Sequence, residues 1–214
     1  MKEQRLTEVK QAIFDYNLEG VTGIVQRAVE EGVNPLEITD ALIESVREIG
    51  KGYENGTMFL PDMICAADTM NNALPFLQAE LLKNGQTRDS LGVAVVGTVA
   101  GDIHTIGKSM VVAMLVAEGF EVSDIGIDVP TAKFVAAVKE HRPVILGMSA
   151  LLSTTAPEAK KVIEALKSEG LRDQVKVLVG GGAVTETLAK AYGADGYDDT
   201  APGAALLARK LIGK

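Results

Sequence analysis

A helical N-terminal segment followed by a doubly wound, five-stranded parallel sheet of Rossmann or flavodoxin type is the fold class (α + α/β) that this 214-residue sequence predicts. Three observations predict it. Residues 1 to about 85 place apolar side chains at helical spacing with almost no strand signal. From about residue 90, short apolar runs (LGVAVVGTV, VILGMS, VKVLVG) alternate with helical stretches, and runs apolar throughout suit parallel strands covered on both faces. Between the halves, Asn84–Ser90 (NGQTRDS) is polar and contains glycine, and reads as a linker between a helical domain (1–86) and an α/β domain (90–214).

The first helix takes Thr7 as its N-cap, with Val9, Ile13 and Phe14 following at helical spacing; Lys10 stands where a capping box would need an acid. The second covers Leu18–Glu31, striped by Val21, Ile24, Val25 and Ala28 and closed by Gly32. The third starts at Asn34-Pro35, with proline at the first helical position, carries Ile38, Leu42, Val46 and Ile49, and ends at Glu54-Asn55-Gly56. The fourth has Pro61 in its first turn, runs to about Leu82, and is closed by Asn84-Gly85. Four amphipathic helices with short connections form a bundle. In the second half the predicted strands are Leu91–Val99, Glu121–Ile127, Val144–Ser149, Lys176–Gly180 and Gly196–Asp198. The helices are Thr105–Glu118, Thr131–His141, Thr155–Ser168, Thr185–Tyr192 and Pro202–Ile212. Ligands of such sheets bind at the carboxyl ends of the strands, where the strand order reverses.

Composition narrows the function classes. Hydrophobic residues make up 47% and charged residues 23%, so a sizeable core can form. The net charge of −8 offers no clustered positive surface for nucleic acid. The first residues, MKEQRLTEVK, lack the apolar stretch of a secretion signal, and no apolar run of about 18 residues is present to span a membrane. The single cysteine, Cys65, excludes an internal disulfide, fits a reducing cytoplasmic setting, and reads as a small buried hydrophobe. His141, beside Arg142-Pro143, reads as a surface residue at a helix end.

The chemistry concentrates after the first strand, in Gly97-Thr98-Val99-Ala100-Gly101-Asp102-Ile103-His104-Thr105-Ile106-Gly107-Lys108. Asp102 and His104 fall in the loop at the carboxyl edge of the sheet. A carboxylate on one ring nitrogen fixes the tautomer and leaves the other nitrogen to bind a metal. Gly107 leaves room beside the backbone for a bulky group. From local sequence alone, a plain glycine-containing turn with a solvent-facing histidine is the simpler explanation of the loop. A lone histidine makes a poor zinc site, but a good axial ligand where a macrocycle supplies the remaining donors.

Spacing adds to this. After Asp102-x-His104-x-x-Gly107 come 41 residues, then Ser149-Ala150-Leu151, then 28 residues, then Gly180-Gly181. This resembles the three-part signature of cobalamin-binding domains in methionine synthase, corrinoid methyltransferase proteins and some mutases. The helical half is similar to the helical cap of methyltransferase corrinoid proteins at Gly52-Tyr53-Glu54-Asn55-Gly56, Phe59-Leu60-Pro61-Asp62-Met63 and Ala66-Ala67-Asp68-Thr69-Met70. Over its whole length the chain resembles the small stand-alone corrinoid proteins of anaerobic methyl-transfer systems.

The resemblance implies a cobalamin or related corrinoid bound with its own base displaced, His104 as lower ligand to cobalt, and Asp102 as hydrogen-bond partner of the far ring nitrogen. It implies a relay completed by the hydroxyl of Thr155, where methionine synthase has a serine, and a pocket for the displaced base formed by Ser149, Leu151, Gly180 and Gly181. From the residues themselves, Ser149 could also be a core hydroxyl, Thr155 a helix N-cap, and the glycines a strand-to-helix turn. Tyr53, Phe59, Leu60, Met63 and Met70 read either as bundle core or as cover for the upper face of the corrin. The implied function is to carry a methyl group on cobalt, without catalysing transfer alone. The donor side is a substrate-specific methyltransferase serving a methylamine, a betaine or a methoxyaromatic compound. The acceptor side is a second methyltransferase serving tetrahydrofolate or a thiol, and a reductive activator is a further partner. A cobalamin-dependent sensor and a corrinoid isomerase subunit are the alternative functions.

Overall fold

The computed structural model describes residues 1–85 and 90–214; of the expected linker, residues 86–89 lie outside the described residues. The chain divides into two compact units, Met1–Asp89 and Ser90–Lys214.

The first unit has helices α1 (Lys2–Phe14), α2 (Val21–Glu30), α3 (Pro35–Glu54) and α4 (Leu60–Lys83). Each contributes one apolar stripe to a shared core: Val9 and Ile13; Val21, Val25 and Ala28; Ile38, Leu42, Val46 and Ile49; Met63, Ala66, Ala67, Met70 and Leu77. Asn34 caps α3 as expected, its side-chain oxygen accepting from the Leu36 N–H at 2.9 Å. The expected cap at Thr7 is corrected. Lys2-Glu3-Gln4-Arg5-Leu6 are all good helix formers, so α1 starts at Lys2, and the Thr7 hydroxyl donates to the Glu3 carbonyl at 2.9 Å from inside the helix. The second helix starts later than Leu18 because the Asn17 side chain accepts from the Gly20 N–H at 2.9 Å and holds a turn there. Asp62 ties down the start of α4, accepting from the Phe59 N–H at 2.6 Å and from the Tyr16 hydroxyl at 2.8 Å. Cys65 is exposed rather than buried: the core-facing stripe of α4 runs through positions 63, 66, 67 and 70, and 65 falls on the other face. Met63 and Met70 belong to the core of this unit, whereas Phe59 and Leu60 are exposed.

The second unit carries β1 (Val93–Thr98), α5 (Ile106–Glu118), β2 (Glu121–Asp124), α6 (Thr131–His141), β3 (Ile145–Ser149), α7 (Ala156–Ser168), β4 (Lys176–Gly180), α8 (Glu186–Tyr192) and α9 (Ala201–Leu211). The strands are parallel in the order β2-β1-β3-β4. The chain leaves β1 for β2 on one side and returns through α6 to β3 on the other, so the order reverses between β1 and β3. Helices α5 and α9 pack together, and α6 packs against α7. Beneath α6 and α7 lies a core of Val95, Phe134, Leu146, Met148, Ile163, Val177 and Val179.

The expected fifth strand, Gly196–Asp198, is reduced to one bridge between Gly196 and Leu178. Side-chain caps cut it short: Asp198 accepts from the N–H and hydroxyl of Thr200, each at 2.9 Å, and Thr200 in turn caps α9 by accepting from Gly203 at 3.0 Å. Likewise β2 stops at Asp124, whose carboxylate accepts from the Gly126 N–H at 2.9 Å, rather than continuing to Ile127. His141 is exposed in the last turn of α6. Among the described residues, no helix is long and apolar enough to cross a membrane.

Phe134 is fully buried where its ring lies over Gly97 of β1. Phe134→Ala is expected to destabilise the α/β unit by about 3–5 kcal/mol, read from the urea unfolding midpoint at unchanged slope.

Candidate functional site

Strand register builds the site. Thr98, Ser149 and Gly180, the last residues of β1, β3 and β4, are aligned partners across the sheet. The three sequence segments, far apart in the chain, therefore leave the sheet side by side at its carboxyl edge, beside the point of reversal.

After Thr98 the backbone makes no further strand and reaches α5 only at Ile106. Asp102 turns inward and is fully buried, while His104 stays 46% exposed. One Asp102 carboxylate oxygen accepts from the His104 backbone N–H at 3.1 Å and pairs with His104 Nδ1 at 2.7 Å. The other accepts from the Leu151 N–H and the Thr155 hydroxyl, each at 2.8 Å. The Thr155 hydroxyl also lies 3.0 Å from the Leu152 carbonyl, but its one hydrogen belongs to the charged acceptor. Thr155 stands at the N-cap position of α7 without capping it; its side chain is committed to Asp102.

Burial alone would raise the Asp102 carboxyl. The His104 ring and backbone N–H, the Leu151 N–H and the Thr155 hydroxyl outweigh it and hold the group well below the usual carboxylate range. An ionised carboxylate only accepts, so His104 Nδ1 carries the hydrogen. In the neutral ring, Nε2 then presents a lone pair, and it bonds to none of the described residues. Among those residues no group of three or more His, Cys, Asp or Glu could hold a metal ion. A metal bound by His104 must therefore arrive with its other ligands already in place.

The surroundings fit a large, flat, mostly apolar group. Ile103, Ile106, Ile127, Leu151 and Leu152 are all exposed, four on the connections at this edge and Ile106 at the start of α5, more large apolar side chains than single scattered exposure explains. A Cβ added at Gly107, in the first turn of α5, or at Gly180, at the end of β4, would meet nothing within 4 Å. Gly181 is different: its φ is +106°, and an added Cβ would lie 2.3 Å from the Ala150 carbonyl oxygen, so the neighbouring backbone alone demands glycine there. Ser149 is half-buried, and its hydroxyl bonds to none of the described residues.

Of the residues singled out from sequence, hydrogen bonds join Asp102, His104, Leu151 and Thr155. Leu151 contributes its backbone N–H to the carboxylate as well as an exposed side chain. Two residues were missed. The buried Thr98 donates its hydroxyl to the His104 carbonyl at 3.0 Å, and Asp128, on the β2–α6 connection, accepts from the Gly101 N–H at 2.6 Å. The only sequence signal for Asp128 is an acid next to Val129-Pro130 at a loop end, which is too common to single out.

Comparison with known proteins identifies the family. Residues 92–206 match a family model described as a B12 binding domain, and residues 5–78 match a second model of the same description. The chain is 42% identical over 211 residues to a corrinoid protein of Desulfitobacterium hafniense strain Y51, covering 98% of each chain. It is 42% identical over 212 residues to the dimethylamine corrinoid protein of Methanosarcina barkeri, covering 99% of each. The crystal structure of the methanol:cobalamin methyltransferase complex MtaBC of Methanosarcina barkeri contains a chain that superimposes with a TM-score of 0.81 at 30% identity, covering 100% of this chain and 81% of that one.

Replacing Asp102 tests the buried network. At neutral pH, Asp102→Asn is expected to cost about 1–3 kcal/mol, because an amide sets a donor against a donor at one of the two oxygens. The wild-type carboxyl is lowered by folding, so its contribution is complete above the unfolded value near 3.8 and is lost as pH falls through the lower folded value. The stability gap should therefore narrow only in acid, below about pH 4, as measured by urea unfolding across a pH series. A gap independent of pH would contradict the network.

Proposed function

Because this chain belongs to the family of B12-binding corrinoid proteins, we propose that it carries a methyl group on the cobalt of a bound corrinoid between two methyltransferases. In this reading residues 90–214 are the corrinoid-binding domain and residues 1–86 the cap. The observation that carries the proposal is the Asp102–His104 pair, a 2.7 Å contact that leaves the outer ring nitrogen of an exposed histidine unbonded at the carboxyl edge of the sheet.

When bound, the corrinoid supplies a metal centre able to accept and release a methyl group, chemistry that no side chain of this protein offers. His104 Nε2 would be the protein's ligand to cobalt, in the base-off form. Asp102 orients the ring and holds the proton on Nδ1, which strengthens Nε2 as a donor. Asp102 would keep the ring in that tautomer and direction, so that Nε2 faces the metal. Ile103, Ile106, Ile127, Leu151 and Leu152 would exclude water around the macrocycle. Ser149, with the open space beside Gly107 and Gly180, would receive the displaced nucleotide base, and Gly181 would hold the shape of that wall.

The donor best supported is a methylated amine presented by its own methyltransferase, since a relative matched along 99% of both chains is a dimethylamine corrinoid protein. The acceptor enzyme would serve tetrahydrofolate or a thiol, and a reductive activator would restore the cobalt.

Protein labelled with 15N-histidine, loaded with cobalamin and reduced to cobalt(II), tests the ligand. The nitrogen splitting in its electron paramagnetic resonance spectrum should change relative to unlabelled protein, and His104→Ala should abolish the difference. A splitting indifferent to the label would mean that the cofactor's own base stays on the metal, and would overturn the assignment.

A further inference from the structure

The geometry points to Asp128 as a positioning residue that clamps the His104 loop from the neighbouring β2–α6 connection, an inference that rests on His104 being the ligand to cobalt. Asp128 grips the loop twice. Its carboxylate accepts from the Gly101 N–H at 2.6 Å, and its own N–H donates to the Asp102 carbonyl at 2.9 Å. It thus holds the residue that opens the loop and the residue that orients the histidine, without touching the imidazole.

The post is itself anchored. Asp124 pairs through one carboxylate oxygen with Lys108, which is buried in the first turn of α5, and through the other accepts from the Gly126 N–H at 2.9 Å. Lys133 donates to the Ile125 carbonyl at 2.8 Å. Thr98 donates its N–H to the Gly126 carbonyl and accepts from the Val129 N–H, both at 3.0 Å. The connection is held from β1, α5 and α6, so Asp128 enters the site from a fixed base.

The backbone of Asp128 also carries a constraint that the core does not need. Its φ is +49°, a left-handed conformation that non-glycine residues rarely adopt and that Asp and Asn tolerate best. Its side chain is exposed and adds nothing to the apolar core. The fold keeps a strained, exposed residue where its one evident service is to the loop that presents His104.

Three substitutions in the full chain separate the clamp from ordinary stability. Asp128→Gly relieves the backbone but removes the acceptor, Asp128→Ala removes the acceptor and keeps the strain, and Asp128→Asn keeps both an acceptor and the tolerated conformation. Each 15N-histidine-labelled protein is loaded with cobalamin, assayed for retention by dialysis, and reduced to cobalt(II) for the label-dependent splitting. The apoprotein is melted in parallel. Loss of the side-chain hold, with the backbone N–H contact to Asp102 kept, is expected to weaken retention by about tenfold, the lower end of what removing a metal ligand's own outer partner costs. Asp128→Gly and Asp128→Ala should show this loss together with a smaller histidine-dependent signal, and Asp128→Asn should restore both. The melting temperature of Asp128→Gly should match wild type. Wild-type retention and signal in Asp128→Gly would overturn the clamp, as would a loss matched by a fall in its melting temperature, or an Asp128→Asn as poor as Asp128→Gly. A wild-type spectrum indifferent to the label would instead sink the histidine assignment itself, and the clamp with it.

Discussion

The carboxylate of Asp102 is the constraint around which the α/β unit is arranged. A buried ion costs several kcal/mol unless its acceptor positions are filled, and here both oxygens receive two donors each. Those donors come from two separate segments, the loop after β1 and the connection after β3. They can converge only because Thr98 and Ser149 end adjacent parallel strands in register. On the base that strand alignment provides, the entry into α7 and the orientation of His104 both serve to satisfy one charge. An ionised, fully satisfied Asp102 has no remaining freedom, so the histidine inherits a single tautomer and a single direction.

The same edge divides the glycines by physical role. Gly181 answers to the chain itself, since the Ala150 backbone leaves no space for a side chain. Gly107 and Gly180 face open space that the protein leaves unfilled. Exposed isoleucines and leucines surround this edge, with the imidazole of His104 and the hydroxyl of Ser149 among them. An apolar surround with a few placed polar groups is the character of a small-molecule site. Membership in the B12-binding family fits this economy, since a corrinoid brings its own reactivity.

The elements that could be read from sequence are those governed by local chemistry. Asn34-Pro35 opens α3 where proline and an N-cap agree, and the apolar stripes of all four N-terminal helices face inward. Errors arose where a neighbour in space or a competing cap intervened. Thr7 lies within a helix because the residues before it are equally willing to be helical. The segment after Gly196 stops pairing because Asp198 and Thr200 turn it into α9. Cys65 is exposed because burial depends on helical phase and not on residue type.

Legible in the sequence were the alternation of strands and helices, the positions of the three motif segments, and an acid two residues before a histidine in the loop after the first strand. These depend on periodicity and short-range spacing, which a linear string records. Tertiary structure alone decided that Thr155 bonds to the carboxylate rather than capping its helix, that Leu151 contributes its N–H, and that Thr98 and Asp128 hold the loop. Those roles depend on which backbone groups meet once parallel strands are aligned, and no local pattern carries that register.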